Sequence, residues 1–272
     1  MLLRKKIVFL FFYVFVYVPI VSGQYKFEKA VVIGKDQGLP NNDIRSFKKG
    51  KDGFIWMGTS EGLSRFDGQQ VKTFALTENL NAPPFTNSVN SVLPADKEVW
   101  VGTTQGLSVM NCSNYTLRHY QFADHGKADS LKKSIDQQVS VLFRDRSGTM
   151  WIGTRNRGIC MYDKVKDDFL FFYFSRKKYP ALFPSVGTDN SILSIEASNR
   201  NDSIIWAGTP AGLQEINKYS GRVSLFTFPQ ANKDYQIALN AFRRLYHHDD
   251  GLLYVGSWAA GVNVFDPVQK TF

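Results

Sequence analysis

From about residue 40 onward, short apolar runs alternate with polar turns that carry glycine. Asp43-Ile44-Arg45-Ser46-Phe47 and Val139-Ser140-Val141-Leu142-Phe143 are runs of strand length. Lys51-Asp52-Gly53, Arg146-Ser147-Gly148 and Asp249-Asp250-Gly251 follow such runs as hairpin turns, where glycine supplies the positive φ that tight turns require. The next stretch, Phe54-Ile55-Trp56-Met57, is apolar on both alternating faces, which predicts a strand covered on both sides. No stretch of this part keeps a 3.6-residue apolar period, so helical repeats are excluded.

The pattern recurs. Its anchors are Trp56-Met57-Gly58-Thr59, Trp100-Val101-Gly102-Thr103, Trp151-Ile152-Gly153-Thr154, Trp206-Ala207-Gly208-Thr209 and Tyr254-Val255-Gly256-Ser257, at steps of 44, 51, 55 and 48 residues. A second glycine follows each anchor (Gly62, Gly106, Gly158, Gly212, Gly261), and an apolar residue comes directly after it. Each unit reads as four short antiparallel strands, with outer strands such as Val71-Lys72-Thr73-Phe74 and Val223-Ser224-Leu225-Phe226. Units of this size and make-up predict an all-β fold, a β-propeller of four-stranded antiparallel blades. About five blades are expected, near 41–76, 88–122, 138–174, 190–228 and 240–272, in an incomplete ring. Tyr25 to Ile33 reads as an outer strand awaiting a final blade, and Lys270-Thr271-Phe272 as the start of another; a small five-bladed ring closed by the N-terminal strand is the alternative. The anchor aromatics are expected to pack between blades, since one indole buries a large area.

The first 23 residues break the pattern. Arg4, Lys5 and Lys6 precede an apolar run from Ile7 to Val21, and Val21-Ser22-Gly23 ends it. That is the layout of a secretory signal, with an uncleaved anchor as the alternative. The propeller would then occupy 24–272 in an exported, periplasmic or envelope-facing location. Removing the signal deletes three basic residues and no acidic ones, lowering the net charge from +9 to +6. That excess is scattered, not a stripe, and argues against a nucleic-acid partner. Cys112 and Cys160 stand at different offsets in their units, which favours two separate thiols over a bridge.

Gly38-Leu39-Pro40-Asn41-Asn42-Asp43-Ile44, Asp52 through Thr59 and Gly62 through Gly68 together resemble the two-component regulator propeller repeat, and Asp145 through Asp163 does so nearly as well. The resemblance implies the periplasmic sensor region of a membrane histidine kinase or hybrid two-component regulator. It also implies a glycan or oligosaccharide ligand, and further blades and a kinase region in the intact protein. A homodimer would transmit the signal. The chain has no phospho-accepting helix and no Gly-rich ATP lid. Its histidines are His119, His125, His247 and His248, all within the repeats.

By strand order, the turn after each anchor shares one end of the blades with the long inter-unit connections. Glu61 with Ser60, Thr104 with Gln105, Arg155 with Asn156 and Arg157, Pro210 with Ala211, and Trp258 to Ala260 lie there. Arg155, Asn156, Arg157, Trp258 and Glu61 are the ligand-binding candidates: guanidinium forks recognise carboxylate or sulfate, and indole offers a flat face to a sugar. The connections Thr77 to Ser88 and Ser175 to Ser191 could shape a recess beside them. No catalytic constellation, metal or cofactor is expected. Asp145-Arg146-Ser147-Gly148-Thr149-Met150-Trp151 resembles the structural Asp-box turn of sialidases, and His247-His248-Asp249-Asp250 reads as a solvent-facing turn before a metal site. The expected function is non-catalytic ligand sensing. A secreted binding scaffold and a polysaccharide-cleaving enzyme are the alternatives.

Overall fold

A computed structural model of the protein describes residues 32–76, 87–120, 122, 138–173, 190–228 and 240–272. The signal segment, the strand expected at Tyr25 to Ile33 except its last two residues, and most of the two long connections lie outside these residues.

Among the described residues a single 3-10 turn, Lys35–Gln37, leads into nineteen strands. The first sheet holds β1 (Ile44–Lys49), β2 (Ile55–Thr59), β3 (Gly62–Phe66) and β4 (Val71–Phe74). The second holds β5 (Val89–Ala95), β6 (Glu98–Thr103), β7 (Gly106–Asn111) and β8 (Leu117–Tyr120). The third holds β9 (Val139–Arg144), β10 (Met150–Thr154), β11 (Ile159–Asp163) and β12 (Asp168–Phe172). The fourth holds β13 (Ser194–Ala197), β14 (Ile204–Thr209), β15 (Gly212–Asn217) and β16 (Val223–Phe226). The fifth holds β17 (Phe242–His247), β18 (Leu253–Ser257) and β19 (Val262–Phe265). Every sheet is an antiparallel meander in chain order. The fifth departs from the four-strand rule: its outer strand is reduced to one bridge, Asp266 to Thr271.

The anchor sequence acquires a job for each letter. Trp56, Trp100, Trp151 and Trp206 are all buried, and Trp56, Trp151 and Trp206 lean on the end of their own outer strand, at Phe74, Phe172 and Phe226. The glycine two residues on lies against the following sheet. A Cβ on Gly102 would lie 2.5 Å from Val139 Cγ1, and one on Gly58 would overlap Val89. The threonine closes the next turn: Thr59, Thr103, Thr154 and Thr209 donate to the carbonyls of Gly62, Gly106, Gly158 and Gly212 at 2.8–3.1 Å. Each hydroxyl also accepts an N–H from inside that turn. Gly158 is the turn glycine at φ 77°, where a Cβ would also sit 2.7 Å from Phe172 O, so no other residue fits there without strain.

Four buried apolar clusters lie between successive sheets, first to second through fourth to fifth. Among the described residues no such cluster joins the fifth sheet to the first, and the ring is not closed. Apolar burial is thus shared pairwise between neighbours, the organisation of a repeat array. Neither cysteine is bonded; Cys160 is fully buried between the second and third sheets.

Candidate functional site

Antiparallel meanders put the turn between the second and third strands of every sheet at the same end as the connections to the next sheet. At that end the turn is pinned to the entry of its own inner strand. Ser60, Thr104, Arg155 and Trp258 donate their backbone N–H to Asp43 O, Ser88 O, Gln138 O and Ala241 O, at 3.0–3.2 Å. The fourth sheet breaks the series because its residue is Pro210, which has no N–H to give.

The candidate side chains sit on these pinned turns, each in a different sheet. Glu61 accepts from Asn41 Nδ2 at 2.7 Å, in the first sheet. Arg155, in the third, reaches Gln138 Oε1 at 3.3 Å, with Asn156 and Arg157 half-buried beside it. Trp258, in the fifth, is 68% exposed, and Arg243 places its guanidinium carbon 3.8 Å from the ring centroid. Among the described residues the Arg243 side chain makes no hydrogen bond or ion pair, and the residue is exposed. A cation held against an indole leaves N–H donors at the rim and an apolar face alongside.

Sequence reading missed Arg243. It occupies a position that recurs. The inner strands β1, β5, β9 and β17 each carry a register shift near their first residue, falling at Arg45, Asn90, Ser140 and Arg243. A bulge re-aims the side chain it carries. Arg45 uses the freedom to bond Ser88 Oγ at 2.7 Å, Asn90 Oδ1 at 3.2 Å and Asp43 at 3.1 Å. Asn90 reaches Val139 O, and Ser140 reaches Ile192 O. Three of the four bulge residues therefore stitch neighbouring sheets together, and Arg243 is left for the indole. The available signal was positional: each follows the first apolar residue of its inner strand.

The opposite end holds a recess of about 900 Å³ between the second and third sheets. Its acids are already taken up by the chain. Asp96 meets Lys51 at 2.9 Å and Arg144 at 3.3 Å, and Glu98 meets Arg118 at 2.7 Å. Asp167 accepts from Tyr162 at 2.6 Å and Tyr120 at 2.8 Å. Burial, with the carboxylate beside it, drives the Tyr120 phenol above its ordinary range, so it stays a donor.

The Asp-box-like turn has a structural geometry. Asp145 accepts from Ser147 Oγ at 2.6 Å, Thr149 N at 2.9 Å and the Trp151 indole at 3.1 Å. His247 points inward and His248 outward, as alternation requires. Both His247 nitrogens face backbone: Nδ1 accepts from Asn199 N at 3.1 Å, which leaves Nε2 to donate to Gly251 O at 3.3 Å. Among the described residues no cluster of three or more metal-ligating side chains is present. No helix there is long and apolar enough to cross a membrane.

The family model described as "Two component regulator propeller" matches residues 38–61 and 133–156. Two stretches of the chain thus match this repeat. These matches cover the entry, inner strand and anchor of the first and third sheets, where the Asn41–Glu61 and Gln138–Arg155 contacts lie. The remaining three sheets repeat the same register with looser sequence. Among solved structures, the extracellular domain of a proposed hybrid two component system from B. thetaiotaomicron is similar, with TM-score 0.67 and 24% identity over 89% of this chain. This chain spans only 31% of that structure. Virginiamycin B lyase from Staphylococcus aureus, in a catalytically inactive form with quinupristin, is similar at TM-score 0.60 and 16% identity, over 84% of this chain and 69% of that one. These likenesses are of fold. No curated protein matches the sequence.

Proposed function

We propose that this chain is the ligand-sensing propeller region of a two-component signalling protein, exported behind its N-terminal signal segment and non-catalytic in itself. The observation that carries the ligand-binding part is the exposed Arg243–Trp258 pair, on the end where the pinned turns present Arg155 and Glu61. The repeat family supports the signalling part. A guanidinium beside a free indole face suits a sugar that bears a carboxylate or sulfate. For signalling, such a ligand must bind two arrangements of the receptor unequally; equal affinity would move no equilibrium.

The test is calorimetric titration of the chain with a panel of neutral, carboxylated and sulfated oligosaccharides. Binding of a charged member is expected, weakened at least tenfold in Arg243→Ala and in Trp258→Ala. Binding unaffected by either substitution would place the ligand elsewhere. Release of new reducing ends or unsaturated products from the panel would turn the reading to that of an enzyme.

A further inference from the structure

Register gives each hairpin residue a counterpart in the other sheets, so one position can be followed from joint to joint. Between the third and fourth sheets the Lys218 ammonium reaches Asp145 Oδ2 and Ser147 Oγ, each at 3.3 Å. Asp145 stands opposite Thr149, the residue two before the anchor Trp151. In the second sheet the residue opposite Glu98, two before Trp100, is Ala95. Lys218 stands opposite Ser203, three before Trp206. In the third sheet the same count from Trp151 leads to Gly148 and, across the pairing, to Lys164. The joint between the second and third sheets therefore keeps the lysine and has a methyl group in place of the acid. The first-to-second joint has Gly50 and Cys112 at these places, and the fourth-to-fifth has Ser198 and Pro267. Of the four joints, this one alone sets the lysine without its carboxylate.

Space is left where the acid would be. The recess of about 900 Å³ described above is lined by both Ala95 and Lys164. Lys164 is exposed, and among the described residues its ammonium has no ion-pair partner. The acids on the walls are already matched. Asp96 and Glu98 are held by Lys51, Arg144 and Arg118, and Asp167 takes two phenol O–H groups. Lys97 lines the recess as well and, among the described residues, also has no acid partner. The surplus charge is thus positive. One wall is apolar: Tyr162 packs edge-on against Trp100, ring centroids 5.0 Å apart, and both line the recess. A cavity of several hundred cubic ångströms with a few placed polar groups suits a small organic ligand.

We propose that this recess binds a small organic acid, whose carboxylate takes the place that Asp145 holds in the next joint and pairs with Lys164. The ring or chain of the acid lies along Tyr162 and Trp100, and Lys97 faces its outer side. The site is separate from the Arg243–Trp258 end and does not rest on the reading given for that end.

Calorimetric titration of the full chain with two acids and their neutral counterparts tests this: sodium glucuronate against glucose, and sodium benzoate against benzamide, at matched ionic strength. At least one acid is expected to saturate, and its neutral counterpart to give no heat of binding. Lys164→Gln, at an exposed position, is expected to weaken that acid at least tenfold. Ala95→Asp supplies the missing carboxylate from the chain itself and is expected to abolish binding; Lys164→Gln keeps the test open should Ala95→Asp fail to fold. Trp258→Ala is expected to leave the affinity unchanged. A wild type that binds neither acid overturns the inference. So does a neutral counterpart that binds equally well, or binding that survives Lys164→Gln. Loss of binding in Trp258→Ala would assign the acid to the other end and overturn it too.

Discussion

Asp145 and Lys218 form an ion pair at 3.3 Å with both side chains almost completely buried, one from the third sheet and one from the fourth. Burial alone would raise the Asp145 pKa, but hydrogen bonds from Ser147, Trp151 and Thr149, with the Lys218 charge, outweigh it and hold the carboxyl below its usual value. Removing one member leaves the other buried and unpaired, which costs about 3–5 kcal/mol. Asp145→Ala is therefore expected to lower the urea midpoint sharply, while Asp145→Leu with Lys218→Met recovers most of the loss. Because the folded pKa is depressed, this contribution is whole above the unfolded value of about 3.9 and is lost as pH falls through the folded one.

His247 makes the joint between the fourth and fifth sheets sensitive to mild acid. Its pKa is lowered, chiefly by desolvation, despite favourable carbonyls at Gly251 and Ala197; Arg200 and Arg146 add repulsion. Protonation at Nδ1 would break the bond it accepts from Asn199. The unfolded chain takes up this proton first, near pH 6.5, so stability is full above that and declines as pH falls below it. Urea midpoints at pH 7.5 and 5.5 are expected to differ in the wild type, and to differ less in His247→Gln.

The anchor glycines are not equivalent. Gly102→Ala drives a methyl to 2.5 Å from Val139 Cγ1, whereas Gly256→Ala meets only Arg244, at ordinary contact distances of 3.6 and 3.7 Å. Overpacking of this kind costs roughly 1–3 kcal/mol. Thermal unfolding is expected to register the first substitution by several degrees and the second hardly at all.

The two thiols are distinguishable. Cys160 has no exposed surface, and burial pushes its pKa well above the ordinary thiol range. Cys112 is half-buried and raised more modestly, also by burial first. Thiolate is the reactive form. Mass spectrometry after brief alkylation of the folded chain is expected to find Cys112 slowly modified and Cys160 untouched until denaturant is added.

The blades were readable from sequence because their signals are local: a glycine where the next sheet touches, a threonine that closes its own turn, and an indole that has to be buried. Trp56 and Trp151 announce two sheets without any knowledge of the rest. The shortened fifth sheet was harder to foresee, since Lys270-Thr271-Phe272 has strand composition and only Thr271 finds a bridge. The site was half legible. Trp258 and Arg155 stood out as residues on turns. Arg243 did not, because its meaning depends on a bulge that aims it at Trp258, and a bulge is a matter of register between strands. Asp145 was recognisable as a turn residue, but its partner Lys218 comes from 73 residues away.

Each joint between sheets is spaced by a side chain that is not there. The first apolar residue of one inner strand lies against the bare Cα of the glycine before it, and so sets how near two sheets can approach and at what angle they splay. A single added carbon at one joint would open that angle; the same change at every joint would widen the whole arc. How closely one sheet can seat on the next is thus limited by the volume of one absent methyl group, repeated along the chain.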